Sequence, residues 1–289
     1  MKKLIALAIV VFTTVCQIYS QHDWYVQLNA GYGLSTSLTH ISYMTTDAEI
    51  STDTIIENNI YTLVSLSTGK GPVFSAAIGK RLSKVFDLEM SLFYKKAGPS
   101  SFEFKTRWDI DGGYYVRFEQ FNEYSGFSVG LAPILKTNIP VINNSLYFRT
   151  GLLFYMSKLE KYTDLRIFNT HPEFYPLESY TSNMEYESAV GIGFLSGVGM
   201  NIQLMDQLYL CPELDYKLMR YSPTSSEITE YKYRGEDQLD ELSVNERKFV
   251  YVNEYDDQDN QNPDSPSHEL KNYYRLDHMA FNLGLKLEF

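Results

Sequence analysis

The final residues of the chain alternate strictly. Phe281, Leu283, Leu285, Leu287 and Phe289 hold one set of positions; Ala280, Asn282, Gly284, Lys286 and Glu288 hold the other. A period of two marks a strand whose two faces meet different surroundings. The same alternation recurs through Trp24–Tyr32, Phe74–Leu82, Phe86–Tyr94, Phe127–Leu135, Leu146–Met156, Val190–Ile202 and Leu208–Leu218. Eight such segments predict an all-β chain.

The connections decide which face is buried. Those spanning 34–70, 96–124, 157–187 and 220–275 are long. Those near Ser83-Lys84-Val85, from Thr137 to Asn144, and at Met205-Asp206 are short. A soluble eight-stranded barrel has no strong reason to keep this asymmetry, whereas membrane barrels have short turns at one end and long loops at the other. The expected fold is a transmembrane antiparallel up-and-down β-barrel of eight strands, with long extracellular loops and short periplasmic turns. Its apolar face meets lipid, and both termini lie on the periplasmic side. Tyr61–Val64, Ser101–Trp108 and Arg247–Val252 also alternate. They are read as hairpin extensions above the bilayer; if any entered it, the count would become ten.

The first twenty residues stand apart. Met1-Lys2-Lys3, the apolar run Leu4–Val15 and the small Ser20 form a secretory signal peptide, cut before Gln21. Residues 21–289 then form a single barrel domain. Val15 before Cys16 argues against lipoprotein processing. Cleavage moves the net charge from −11 to −13 and leaves Cys211 without an intramolecular disulfide partner. An acidic chain with no basic patch has no footprint for nucleic acid. Its 24 Tyr and 17 Phe suit a thin lipid-facing skin, with Trp24, Tyr32, Tyr94 and Phe289 as interfacial candidates.

The signal sequence, the Ser20-Gln21 junction, the eight strands and the terminal Phe289 together resemble the outer-membrane β-barrel proteins of Bacteroidota, the PorT-like group. The resemblance implies an outer membrane of a Gram-negative cell. It also implies a C-terminal signal read by the barrel assembly machinery, carried on Phe281, Leu283, Leu285, Leu287 and Phe289. A role as accessory subunit of an envelope secretion machine would follow from the same likeness. Asp53-Thr54-Ile55 further resembles the short O-glycosylation acceptor pattern of that phylum.

An eight-stranded barrel is just wide enough for side chains to fill it. The inward positions supply Arg81, Lys95, Lys136, Arg149, Lys217 and Lys286 against Asp87, Glu89, Glu213, Asp215 and Glu288. Such near balance is expected where charge is confined and must be paired. Counted from the short turns, Glu89, Arg149 and Glu213 fall at one depth, so Arg149 is expected to bridge the two carboxylates. The lumen is then plugged; a gated or conducting path is the rival reading. Gly191, Gly193, Gly197 and Gly199 lack the spacing and context of a dinucleotide fingerprint and are read as small residues making room for bulky neighbours.

The connection from Arg220 to Arg275 carries a net −6. Asp256, Asp257 and Asp259 beside Asn260 and Asn262 offer oxygen ligands for calcium. They lack an EF-hand glycine and distal glutamate, so a solvated loop is the favoured reading. Tyr114, Tyr115, Phe174, Tyr175, Tyr231 and Tyr233 suit either a recognition surface or loop packing. Five His occur, and only His278, beside Asp277 at the expected outer rim, faces inward. No hydrolase or zinc motif is present. No catalytic residue, cofactor or metal is expected. The expected partners are membrane lipid, the barrel assembly machinery during insertion, and an envelope protein or extracellular ligand met through the loops.

Overall fold

The computed structural model describes residues 23–36, 39–51, 54–66, 69–110, 114–141, 144–170, 177–254, 260, 262–271 and 273–289. The signal peptide, Cys16, Asp53, His171, Phe174, Tyr175, Asp256, Asp257 and Asp259 lie outside what is described, as do the side chains of His40, Thr54 and Tyr114.

Eight strands close into a ring. They are β1 (Trp24–Ser35), β2 (Gly71–Arg81), β3 (Phe86–Ile110), β4 (Tyr114–Val141), β5 (Asn144–Asn169), β6 (Gly191–Met205), β7 (Leu208–Leu218) and β8 (His278–Glu288). Each pairs antiparallel with the next, and β8 returns to β1 with Tyr25 opposite Glu288 through Ser35 opposite His278. Closure leaves no ring strand with an open edge. Backbone bonds between Trp24 and Phe289, at 2.9 and 3.3 Å, seal the seam where the chain ends meet.

The outer wall is apolar. Leu28, Phe74, Leu88, Leu92, Leu131, Phe148, Leu152, Phe281, Leu283 and Leu285 are all exposed. In water such a continuous patch would be a liability; in a bilayer it is the lipid-facing belt. The ring is therefore a transmembrane β-barrel. Short connections join β2 to β3, β4 to β5 and β6 to β7 at one end. In the first, the Ser83 hydroxyl accepts the N–H groups of Val85 and Phe86 at 3.2 and 3.0 Å, fixing the reversal locally. The turn expected from Thr137 to Asn144 is tighter than that, because β4 runs on to Val141.

The other end differs from the expected loops. Strands β3, β4 and β5 have 25, 28 and 26 residues. At about 3.3 Å per residue, β4 is roughly 90 Å long, far more than a bilayer requires. Beyond the ring these strands stay paired, up to Ile110 opposite Tyr114. Above Tyr155, β5 exchanges its partner β6 for Leu177–Ser188. Pro223–Tyr233, Lys248–Val252 and Ser267–Leu270 extend the sheet on that side. On the other side, Thr39–Ser51 and Thr54–Leu66 form a hairpin that touches β3 at Glu49 opposite Asp109. The ring itself remains eight, because none of these strands enters it. A bulge between Ala97 and Ser100 marks where β3 leaves the barrel wall.

Candidate functional site

The centre of the lumen is built twice from one unit. Gly79 lies in register between Tyr25 on β1 and Glu89 on β3. Gly199 lies in register between Tyr147 on β5 and Glu213 on β7. A Cβ on Gly79 would sit 2.2 Å from Tyr25 Cζ, and one on Gly199 2.3 Å from Tyr147 Cζ. Each glycine thus lets a tyrosine ring lie across it. Each ring then donates its hydroxyl to the glutamate beyond: Tyr25 to Glu89 Oε2 at 3.1 Å, and Tyr147 to Glu213 Oε2 at 2.9 Å.

Arg149 joins the two units. Its Nη2 is 2.7 Å from Glu89 Oε1 and its Nη1 is 2.6 Å from Glu213 Oε1. The guanidinium is enclosed, with 2% of its side chain exposed. The fork reaches two carboxylates on different strands, which a point-like ammonium does not match. Asp215 stands 4.0 Å from the same guanidinium and accepts from Asn282 and Lys217. The structure therefore brings Glu89, Arg149 and Glu213 together at one depth. It adds Tyr25 and Tyr147, and Asp215 from among the inward charges.

Other layers close the lumen on both sides. Toward the short turns, Lys136 Nζ lies 3.7 Å from the Tyr147 ring centroid, and Lys286 pairs with Glu288 at 2.7 Å. Toward the long-connection end, Phe93, Ile134, Leu153, Leu195 and Met219 pack as an apolar layer. Above it sit Tyr124, Tyr186, Tyr221 and Tyr251, all buried. His278 is a correction to the expected rim position. It is fully buried, with Nδ1 3.1 Å from Lys95 Nζ, because the chain continues past it into the packed Leu276 and Tyr274. Asp277 is held too, accepting the Met219 N–H at 2.8 Å. Neither residue is free to serve at a mouth.

Formal charge is stratified. Arg81, Lys136 and Lys286 face Asp87 and Glu288 near the short turns. Arg149 faces Glu89, Glu213 and Asp215 at the centre, and Lys95 and Lys217 lie above. An ion of either sign would meet a layer of its own charge.

Outside the ring the sheet has two unlike faces. The face continuing the lumen wall carries Tyr180, Tyr231 and Tyr233, with the Tyr180 and Tyr233 rings stacked at 4.9 Å. Tyr180 donates to Glu178, and its phenol is pushed up to about 12, first by desolvation and then by that bond. It therefore stays neutral at any physiological pH. Arg234 lies 4.9 Å from the Tyr233 ring and 3.6 Å from Glu178. The opposite face holds ion pairs such as Lys158–Glu185, Arg166–Asp164 and Arg247–Glu227. At the Ser267–Leu270 edge, the Asn260 carboxamide takes both the N–H and the C=O of His268, at 2.6 and 3.1 Å. That occupies backbone groups that would otherwise template another strand. Among the described residues no group of His, Cys, Asp and Glu is placed to hold a metal.

No family model matches the chain, and no curated protein matches it. Among solved structures, the chain is similar to one described as the crystal structure of a Pseudomonas aeruginosa FadL homologue. The identity is 8%, over 92% of this chain and 90% of that one, at a TM-score of 0.20. A likeness that distant carries no argument about function. What stands on the molecule's own geometry is an all-β fold of outer-membrane-barrel type, with a filled lumen and a sheet raised beyond it.

Proposed function

We propose that the protein is a plugged outer-membrane barrel that presents an aromatic sheet at the cell surface for recognition. The observation that carries this reading is the continuation of β3, β4 and β5 far past the ring, with Tyr180, Tyr231 and Tyr233 on one face of the added sheet. Tyrosine offers large contact area at low entropic cost. A barrel filled by ion pairs and apolar layers is a rigid pedestal, not a conduit. In this reading the long connections face outward, the short turns and both termini face the periplasm, and the role is binding without catalysis. Membership of the PorT-like group belongs to the same proposal, and only the sequence resemblance supports it.

Single cysteines in a Cys211→Ser background test the orientation. Glu236→Cys on the raised hairpin is expected to react with a membrane-impermeant maleimide on intact cells, and Lys84→Cys at a short turn is expected to react only after lysis. The reverse pattern would overturn the proposal.

A further inference from the structure

We propose that the short-turn mouth of the barrel is a binding site for a neutral saccharide or polyol. A cavity of about 410 Å³ opens there, within the range of about 300–1,000 Å³ found for small-molecule sites. It draws Arg81, Asn138, Asn144, Asn201, Gln203 and Tyr209 from five of the eight ring strands. Four of these six are carboxamides. A carboxamide has an acceptor and two donors without net charge, which is the complement of neighbouring hydroxyl groups; Asn201 already donates to Ser145 Oγ at 2.7 Å and accepts from Cys211, and Asn144 Oδ1 accepts the Gln203 N–H at 3.3 Å. Tyr209 adds a flat ring suited to the C–H face of a pyranose.

Charge excludes a cation. Glu288 Oε1 already holds Arg81 Nη2 at 2.6 Å and Lys286 Nζ at 2.7 Å. The remaining Lys136 leaves this end with more cations than acids, so an amine or metal ion is repelled. An anion is disfavoured for a different reason. Among the lining side chains, Asn138 is nine-tenths buried and its Oδ1, an acceptor, has no hydrogen-bond partner. A ligand that completes this site must donate hydrogen bonds while carrying no charge, and hydroxyl groups do both. The site lies at the opposite end from the raised sheet and does not depend on the recognition role proposed for it.

The test titrates the whole folded barrel, in detergent micelles, with maltose and with chitobiose. Inorganic phosphate and spermidine serve as charged comparisons, and side-chain amide resonances report binding. The expected result is saturable shifts of the Asn138, Asn144, Asn201 and Gln203 carboxamides with a sugar. Gln203→Ala should weaken binding about fivefold, the loss of one hydrogen bond. Gln203 and Asn144 are both exposed, so Asn144→Ala provides a second variant that leaves the packed lumen intact. No saturable shift with either sugar, or saturation by phosphate or spermidine instead, would overturn the proposal. Binding unchanged in both variants would also overturn it.

Discussion

Arg149→Ala is expected to lower the unfolding free energy by about 3–5 kcal/mol, the usual consequence of removing one member of a buried ion pair. Glu89 and Glu213 each contact the guanidinium within 2.7 Å, and both side chains are at most 1% exposed. Without it, two carboxylates remain in a confined lumen with only tyrosine hydroxyls as partners, and Asp215 stands nearby. Arg149→Lys should recover only part of the loss, because an ammonium does not span both carboxylates as the fork does. Combining Arg149→Met with Glu89→Gln and Glu213→Gln should lose less than Arg149→Met alone, because the stranded charges go with their partner. Urea unfolding from lipid vesicles, followed by tryptophan fluorescence, measures all of these. Equal stability of Arg149→Ala and the parent would contradict the ion-pair plug.

The second large effect concerns the outer wall. Leu283 is 57% exposed at the middle of β8. Leu283→Arg is expected to cost about 2–4 kcal/mol in a bilayer, the depth-dependent penalty for a lipid-facing charge near the midplane. Lys286, three residues on, shows the contrast. Its side chain turns into the lumen, is 1% exposed and finds Glu288. Were the barrel soluble, an arginine at an exposed position would change stability by no more than about 0.5 kcal/mol. Vesicle-to-unfolded equilibria of the variant and the parent separate the two outcomes.

How far the sequence revealed this architecture depends on which side of each strand the lipid lies. β8 is plain because every second residue from Phe281 to Phe289 is large and apolar. The same holds for Phe86–Tyr94 at the start of β3. Its upper half is legible in part: Ser101–Trp108 alternates and is read as a hairpin extension, which the strand to Ile110 bears out, whereas the residues between Tyr94 and Ser101 carry no such signal. The bulge at Ala97–Ser100 also shifts the parity, so that Ser100 takes the inward place opposite Tyr124. Leu177–Ser188 carries Tyr180, Met184 and Tyr186 among polar residues on one face and almost only polar residues on the other, too weak a signal alone, and pairing with β5 reveals it as a strand.

The lumen was legible where depth could be counted from a short turn. Glu89, Arg149 and Glu213 each lie a few residues from one. Lys95 and His278 meet at the far end, where the long connections give no count. The Tyr–Gly–Glu units leave a trace in the sequence. Tyr25, Gly79 and Glu89, like Tyr147, Gly199 and Glu213, are inward residues at matching depths on three adjacent strands.

Closure of the ring is the claim on which the rest depends. It is tested most directly by a disulfide across the seam, between Leu28 of β1 and Leu285 of β8, which face each other in register. Paired residues of an antiparallel ladder have Cα atoms about 4.5–5.5 Å apart, within the span a disulfide tolerates. In a Cys211→Ser background, Leu28→Cys with Leu285→Cys is expected to cross-link within one chain on mild oxidation in membranes. The product should be a faster-migrating band that reverts on reduction. Failure to cross-link, or cross-linking only between chains, would contradict the closed eight-stranded barrel.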